Sequence, residues 1–259
     1  MSSPTLAVAL IVKNEEKHLA NCLDTVKDWV DEIVILDSGS TDKTEEIARQ
    51  YTDKFYVNLE WPGFGPQRRL AQSHISSDYV LWLDADEQVT PELKQSILQT
   101  VKENKGNCVY KIDRLSTAFG KQIKHSGWSP DWVTRLYRTK ETQYNQALVH
   151  ESVEVPDCHK VIALQGKLLH NTFDELSQYT RKTSLYMKSW ADQREGKKKS
   201  SLSSAILHAF FRFIKMYIIK LGFLDGRHGL LLAILSANTT FTRYADLWLR
   251  DYQKKNRSK

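Results

Sequence analysis

The chain has 259 residues, of which 41% are apolar, and this composition excludes a disordered protein and fits one large domain or a domain with a substantial extension. Its three cysteines, Cys22, Cys108 and Cys158, are scattered without a C-x-x-C pair, so we expect reduced thiols and neither a disulfide framework nor a structural zinc site. The net charge of +6 is uneven: after residue 180 there are 17 Lys/Arg against 5 Asp/Glu, which indicates an anionic partner there, either nucleic acid or a membrane surface.

The first third of the chain alternates apolar runs with patterns of helical spacing. The predicted strands are 6–12, 32–36, 54–58 and 79–83. The first run is too short for a signal peptide or a membrane span. Helices are predicted between the strands, with Thr41 or Asp42 as the N-cap of the second helix and Pro66 near the start of the third. This alternation predicts βαβ units and a mostly parallel sheet.

Acidic residues follow two of these strands. The wholly apolar run 79–83 is typical of a strand buried on both faces, and Asp84, Asp86 and Glu87 come directly after it. In open α/β sheets ligands bind beyond the carboxyl ends of strands, and two aspartates spaced i, i+2 suit a divalent cation that also takes phosphate oxygens. The alternative is that Asp84 and Asp86 are ordinary loop residues that bind no cation. Asp37, at the end of the second strand, suits a ribose hydroxyl or a base edge, or it simply forms a turn.

Further polar residues are candidates for the same edge of the sheet. Gln67, Arg68 and Arg69 fall at the start of the third helix, where the helix N-terminus and an arginine suit phosphate, with a solvated basic face as the alternative. His170 follows a later apolar run and is a candidate third metal ligand or phosphate contact, unless it is purely structural.

The middle of the chain predicts a helix over 91–102 and strands over 109–115 and 134–137. Between these strands lies a region rich in glycine and aromatic residues that includes Trp128 and Trp132. Its aromatic and polar residues suit one wall of a substrate site, or they cover a core.

Four motifs in order carry a family resemblance: IVKNEE, DSGSTDKT, GFGPQRRLA and WLDADEQVTPE. Together they resemble the nucleotide-sugar half of a family 2 glycosyltransferase, and most closely the lipopolysaccharide core β-1,4-glucosyltransferases of Gram-negative bacteria. The resemblance implies an α/β fold of the GT-A (Rossmann-like) type, with a mostly parallel sheet flanked by helices. It also implies an inverting hexosyltransferase that moves glucose from UDP-glucose to a heptose of the lipopolysaccharide inner core and uses Mg²⁺ or Mn²⁺.

The resemblance also implies roles for single residues. The uridine pocket would be lined by Val12, Asn14 and Glu15. Asp37 would meet the nucleoside, Asp84 would touch ribose or the donor sugar, and Asp86 would bind the cation that bridges the two phosphates.

The base that takes the proton of the attacking hydroxyl is expected in the stretch ALVHESVEV. The competing interpretation is a strand over 148–155 on which Glu151 shares a face with Val153 and simply faces solvent. Glu151 is the candidate base, with His150 beside it as a substrate contact. The family pattern has two adjacent acids where this chain has His150 and Glu151, and Glu154 is the alternative base.

The C-terminal part differs in character, with a predicted helix over 173–190, a basic break and a very apolar stretch over 202–224. That stretch is long enough to span a bilayer, but it contains charged residues that make spanning costly. Its polar stripe consists of Ser204, His208, Arg212 and Lys215. A helix with a broad apolar face and a basic stripe suits an anionic membrane surface, and packing on the catalytic domain is the alternative. The FLDG-x-x-G segment that follows also resembles the tails of family members with lipid acceptors.

These observations predict a GT-A nucleotide-sugar and acceptor domain over 1–172 and a helical, basic, amphipathic extension over 173–259. The expected partners are a UDP-sugar, a lipid A core heptose and an anionic membrane surface, at the cytoplasmic face of the bacterial inner membrane. Nucleic acid is not expected, because the basic residues are interleaved with Leu, Ile and Phe. The alternatives are a nucleotidyltransferase acting on a sugar phosphate, a non-catalytic binding module, or a family 2 transferase with a different UDP-sugar and a lipid-linked or protein acceptor.

Overall fold

The computed structural model describes residues 3–257, which form two compact units. The first unit takes the described residues up to Leu115 together with Asp131–His170. The second takes Ser116–Pro130 and the described residues from Asn171 onward. The predicted division into a catalytic domain and a membrane extension stays a prediction, and the structure adds the segment 116–130 to the second unit.

Four parallel strands form the beginning of the sheet in the first unit. They are β1 (Leu6–Val12), β2 (Glu32–Asp37), β3 (Phe55–Val57) and β4 (Tyr79–Trp82). Their order is β3-β2-β1-β4. The connections carry α1 (Leu19–Asp24), α2 (Thr44–Ala48) and α3 (Phe64–Ser73). All four residues of β4 are fully buried, as expected for an apolar strand covered on both faces.

The rest of the sheet is antiparallel wherever its pairing is defined. Its strands are β5 (Glu87–Val89), β6 (Cys108–Ala118), β7 (Lys121–Gln122), β8 (Trp132–Arg138) and β9 (Lys160–Phe173). β4 pairs with β8, β8 with β6, and β5 with β9, all antiparallel. The α/β class is therefore confirmed, but the mostly parallel pairing holds only for the first four strands. No helix connects β6 to β8, and a parallel crossover normally needs one.

Two local predictions can be compared directly with the structure. Helix α4 (Pro91–Glu103) begins where predicted, with Pro91 in its first turn and the Thr90 hydroxyl accepting a hydrogen bond from the Leu93 amide. The competing interpretation of 148–155 as a strand is wrong, since in this stretch only Val153 makes an isolated bridge, to Tyr144. His150 has a φ of 59°, which lies outside the β region.

Three helices dominate the second unit: α5 (Leu176–Asp192), α6 (Leu202–Ile214) and α7 (Gly226–Arg257). The predicted single helix over 202–224 is wrong, because α6 continues only as one π-helical turn (Lys215–Ile219) and a 3₁₀ turn (Gly222–Asp225) follows. The chain turns where two glycines meet: a Cβ on Gly229 would lie 1.8 Å from the carbonyl oxygen of Gly222.

Asp225, just before α7, binds the segment 116–130. Its side chain is 3% exposed and accepts hydrogen bonds from the amides of Lys124 and His125 and from the Ser126 hydroxyl, at 3.0, 3.1 and 2.8 Å. The conspicuous FLDG segment therefore has a structural role, since it ties this segment to the C-terminal helices.

The polar stripe of α6 faces α7. The His208 ring stacks on Tyr244 with centroids 4.1 Å apart, and the Arg212 Nε donates to the Ser236 hydroxyl at 2.6 Å. Large apolar side chains elsewhere on α6 are exposed, and they include Ile206, Leu207, Phe210 and Phe211. Among the described residues, Leu202–Ile219 is the one helical segment whose length and composition would allow a membrane crossing.

Candidate active site

The carboxyl ends of β1, β2 and β4 lie at one edge of the sheet. Val12 is in register with Asp37, and the Leu83 amide donates to the Ala9 carbonyl at 3.1 Å. Asp37 and the acids that follow Leu83 therefore share this edge, as the parallel βαβ arrangement predicts.

A cavity of about 380 Å³ lies at this edge. Its lining residues are Ile11, Val12, Lys13, Glu15, Ser38, Trp61 and Phe64. Val12 and Glu15 were predicted to line the uridine pocket. The aromatic pair Trp61 and Phe64, packed edge to face at 4.9 Å, is not among the predicted site residues. Phe64 begins α3, and Trp61 lies three residues before it. The cavity combines an aromatic wall with polar groups, as small-molecule sites usually do.

Asn14 and Asp37 shape the loops beside this cavity. Asn14 adopts a φ of 56°, and its side-chain oxygen accepts from the Thr41 amide at 2.8 Å. Asp37 is buried, and one of its oxygens accepts from the amides of Gly39 and Ser40, both at 2.8 Å. These are the contacts of a turn-forming aspartate, so the nucleoside role of Asp37 stays a prediction.

Gln67 is also buried and structural in its contacts. Its side chain donates to the Ser38 hydroxyl at 3.0 Å and accepts from the Asn58 side chain at 2.9 Å. It therefore holds the loop after β2, which lines the cavity.

Negative charge accumulates around Glu15. Burial, and then the nearby carboxylates of Asp86, Asp84 and Asp42, raise the pKa of Glu15 to about 7. Such an excess of negative charge favours a cation. His170 belongs to the same cluster: β9 brings it into register with Glu87, and its Nε2 lies 3.3 Å from an Asp86 oxygen.

The predicted divalent cation would have few protein ligands at this site. Within residues 3–257, no group of three or more His, Cys, Asp or Glu side chains is arranged to hold a metal by itself. Asp86 and His170 supply two donors, and a cation bound there would need further oxygens from a diphosphate and water. Mg²⁺ in nucleotide sites is usually bound by one or two carboxylates together with substrate phosphates, and Asp86 supplies one such carboxylate. The residues therefore fit a cation that is held jointly with substrate.

Two buried arginines connect the acids. Arg68 donates from Nη2 to Asp84 at 2.7 Å and from Nε to Glu151 at 3.1 Å, and Arg135 donates to the other Asp84 oxygen at 2.5 Å. Although burial opposes its ionisation, Arg135 and Arg68 hold the pKa of Asp84 well below its usual range. Arg68 was predicted to bind phosphate. That role stays a prediction, while the structure places its side chain between a strand-end acid and the candidate base.

Glu87 completes this network. It is fully buried, accepts from Arg135 at 2.9 Å and Arg114 at 3.3 Å, and takes a hydrogen bond from the Asp84 amide at 2.9 Å. Burial raises the pKa of Glu87. The sequence pattern gave no signal for these partners, because Arg114 and Arg135 lie on strands far along the chain.

The other predicted site residues that the structure describes form no hydrogen bond or ion pair with the strand-end acids. Arg69 donates to the Tyr144 carbonyl at 2.5 Å and to Glu154 at 3.0 Å, and Glu154 is half exposed. His150 is exposed. Trp128 belongs to the second unit, where its ring packs edge-on to Phe173. Of the two candidate bases, Glu151 is the one whose contacts reach the acids after β4.

The chain matches a protein-family model and is similar to several known proteins. The model of glycosyl transferase family 2 matches residues 7–159, which is more than half of the chain. A Rickettsia prowazekii protein described as an uncharacterized glycosyltransferase is 28% identical over 98% of this chain and 89% of its own length. The lipopolysaccharide core biosynthesis glycosyltransferase LpsC of Rhizobium meliloti is 26% identical over 93% of each chain.

Two solved structures are also similar. S. aureus TarS in complex with UDP-GlcNAc is 14% identical, with a TM-score of 0.47 over 98% of this chain and 92% of that chain. Mycobacterium tuberculosis glucosyl-3-phosphoglycerate synthase in complex with Mg²⁺ and UDP is 26% identical, with a TM-score of 0.36 over 45% of this chain and 44% of that one.

The family match covers β1 to the loop after Glu151, the stretch that holds both the strand-end acids and the residues that bind them. The resemblance seen in the motifs is thus confirmed, and the chain belongs to glycosyl transferase family 2 and is a glycosyltransferase.

Proposed function

We propose that the protein transfers glucose from UDP-glucose to a heptose of the lipopolysaccharide inner core, with inversion at the anomeric carbon. The observation that carries the proposal is the connection of Asp84 to the candidate base Glu151 through Arg68, next to Asp86 at the same edge of the sheet. The relative named for lipopolysaccharide core biosynthesis supports this acceptor, since it is similar over nearly the whole chain.

In the proposed reaction an acceptor hydroxyl oxygen forms a bond to the anomeric carbon while the bond from that carbon to UDP breaks. Glu151 takes the hydroxyl proton, and UDP leaves with the bonding electron pair. Arg68 holds the Glu151 carboxylate in place through its Nε. Asp86 and His170 would hold a divalent cation, which when bound offsets the charge of the departing diphosphate.

The reaction test is a panel of UDP-sugars, with lipopolysaccharide core oligosaccharide as acceptor, in Mg²⁺ or Mn²⁺ and after chelation. UDP-glucose is expected to be the preferred donor, and chelation should lower turnover at least tenfold. Asp86→Ala should lose most of the response to added cation while keeping its melting temperature. Transfer at the same rate after chelation would contradict the cation role, and release of pyrophosphate in place of UDP would indicate a nucleotidyltransferase.

The proposal also places the protein on the cytoplasmic face of the inner membrane, bound peripherally through the apolar face of α6. The exposure of apolar side chains on α6 supports membrane binding through this helix. His208 and Arg212 contact α7, while Phe210 and Phe211 are 57% and 58% exposed. Large apolar surface of this kind marks an interaction site. The net charge of +12 after residue 180 favours anionic lipid as the partner.

Vesicle flotation tests the membrane proposal. The wild type is expected to float with vesicles that contain phosphatidylglycerol and to float less in high salt. The double variant Phe210→Ser/Phe211→Ser should bind these vesicles at least tenfold more weakly, since two aromatic side chains no longer enter the lipid. Leu176→Ser/Leu185→Ser is the matched control, because these exposed side chains lie on α5. Equal flotation of both double variants would contradict the assignment to α6.

A further inference from the structure

Four basic side chains in the second unit gather around one pair of aromatic rings. Trp190, near the end of α5, and Tyr244, within α7, have ring centroids 4.8 Å apart. The basic residues come from α6, α7 and the segment after α5, and together they form what we term the cationic cluster: Arg194, Lys198, Arg212 and Arg243. Neither the proposed transfer reaction nor the exposed apolar residues of α6 account for this cluster.

The two rings bring three of these cations together. The guanidinium carbons of Arg194 and Arg243 lie 4.5 and 4.9 Å from the Trp190 ring centroid. Lys198 Nζ lies 4.8 Å from the Tyr244 ring centroid and donates to the Tyr244 hydroxyl at 3.0 Å. Aromatic faces attract cations, so the rings offset part of the cost of placing like charges side by side. The three basic groups therefore have defined positions, unlike those of a solvated surface.

Arg212 adds a fourth positive charge from α6. Its Nε donates to the hydroxyl of Ser236, which lies about two helical turns before Arg243 on α7. Burial lowers the pKa of Arg243 and, although Tyr244 opposes this, the charges of Arg212 and Arg194 lower it further. The three arginines thus repel one another at a place where partial burial weakens screening by solvent.

The cationic cluster lacks acidic partners in the part of the chain that the structure describes, where none of its members forms an ion pair with Asp or Glu. The acids nearest to it in sequence are Asp192, Glu195 and Asp246. All three bind Arg250 instead, and Glu195 also binds Lys254. These three negative charges are thus shared by two cations outside the cluster, and a net excess of positive charge remains within it.

The arginines also keep donors for a ligand. A guanidinium group has five N–H donors, yet Arg194 donates only to the Trp190 carbonyl, at 3.3 Å, and Arg212 only to Ser236 within residues 3–257. Arg243 is half-buried with its Nε enclosed, so a ligand would meet its terminal nitrogens. Paired N–H donors in a fixed fork suit phosphate oxygens. The cluster therefore fits a ligand with several oxygens and more than one negative charge.

We propose that the cationic cluster binds a terminal phosphate group, either inorganic phosphate or the phosphomonoester headgroup of a lipid such as phosphatidic acid. A terminal phosphate offers three oxygens and about two negative charges near neutral pH, which match more than one guanidinium group. A phosphodiester, with two free oxygens and one negative charge, fits less well. The inference goes beyond the proposed function, since it involves neither the donor nor the acceptor saccharide and requires these particular residues instead of a general basic charge.

Thermal unfolding of the full chain with inorganic phosphate, against sodium chloride of equal ionic strength, tests the site. The wild type is expected to gain several degrees in melting temperature, and Arg243→Gln and Arg212→Gln should lose most of that gain. Arg181→Gln removes an exposed arginine of α5 outside the cluster and is the matched control that should keep it. Phosphate also stabilises proteins through its exclusion from their surfaces, and this contribution should be the same in all four proteins.

Vesicle flotation distinguishes the two sources of phosphate. Vesicles with phosphatidic acid or phosphatidylglycerol are adjusted to the same surface charge. If the ligand is a lipid headgroup, the wild type should bind the phosphatidic acid vesicles about tenfold more tightly, and Arg243→Gln should abolish this preference while Arg181→Gln keeps it. A gain in melting temperature that depends on Arg243, without a headgroup preference, would identify free phosphate as the ligand.

Two results would overturn the phosphate site. One is a wild type that shows neither a headgroup preference nor a phosphate-dependent gain larger than that of Arg243→Gln. The other is an equal loss of these effects in Arg181→Gln and Arg243→Gln, because the binding would then follow the total charge of the helices and not the cationic cluster.

Discussion

Glu151→Gln is expected to lower kcat by about 10²- to 10⁴-fold and to leave the KM of the UDP-sugar nearly unchanged. The amide cannot take the proton of the attacking hydroxyl, whereas its oxygen can still accept the hydrogen bond that Arg68 Nε donates to Glu151. Binding of the nucleotide should survive, because Glu151 does not line the cavity that holds Val12 and Glu15. Steady-state kinetics with saturating acceptor measures both constants.

Glu154→Gln provides the matched control for this prediction. Glu154 is three residues away, half exposed and bound to Arg69, and it does not line the cavity that contains Glu151. Its substitution should change kcat by less than about threefold, as expected for a solvent-exposed ion pair. The opposite pattern, with loss of turnover in Glu154→Gln and near-normal turnover in Glu151→Gln, would transfer the base to Glu154.

Arg135→Met is expected to lower the free energy of unfolding by roughly 3–5 kcal/mol. Arg135 is buried and binds both Asp84 and the fully buried Glu87, so its loss leaves carboxylates in the interior with fewer partners. Arg138, the last residue of the same strand, binds Glu141, Tyr79 and Asn104, but its side chain is 31% exposed and touches no fully buried carboxylate. Arg138→Met should therefore cost clearly less than Arg135→Met. Chemical denaturation of both variants makes the comparison.

The loss in Arg135→Met should also depend on pH. Burial already raises the pKa of Glu87 above its value in the unfolded chain, and removal of Arg135 raises it further. The folded state then retains a proton that the unfolded state releases, so the free energy of unfolding falls as pH rises. The deficit should therefore be larger at pH 8 than at pH 5. A deficit that grows toward low pH would show that Glu87 is not the group left unpaired.

Much of the fold could be predicted because its strongest signals are local. The short, continuous apolar runs at β1, β2 and β4 are typical of buried strands. The acids at or just after the ends of β2 and β4 indicate where the carboxyl ends of the strands lie. Strand β5 could not be predicted, because its three residues form a strand only by pairing with β9, about 80 residues later. The alternation over 148–155 offered a strand as the competing interpretation, but the positive φ of His150 is incompatible with a regular strand there.

Less of the candidate site than of the fold could be predicted from the sequence. The candidate acids follow from sequence, but their partners do not: Arg68 and Glu151 are 83 residues apart, and Arg135 reaches Asp84 across 51. The arginine of a QRR motif at a helix start resembles a phosphate ligand. Only the fold shows that Arg68 is enclosed and bound to two carboxylates.

The attachment of the segment 116–130 to Asp225 bears on how this chain could be shortened. A protein that stopped after β9 would keep the strand-end acids, yet the amides of Lys124 and His125 would lose the carboxylate that satisfies them. The C-terminal helices are thus not a detachable tail. Any attempt to obtain a minimal transferase by truncation would have to remove or redesign this internal segment as well.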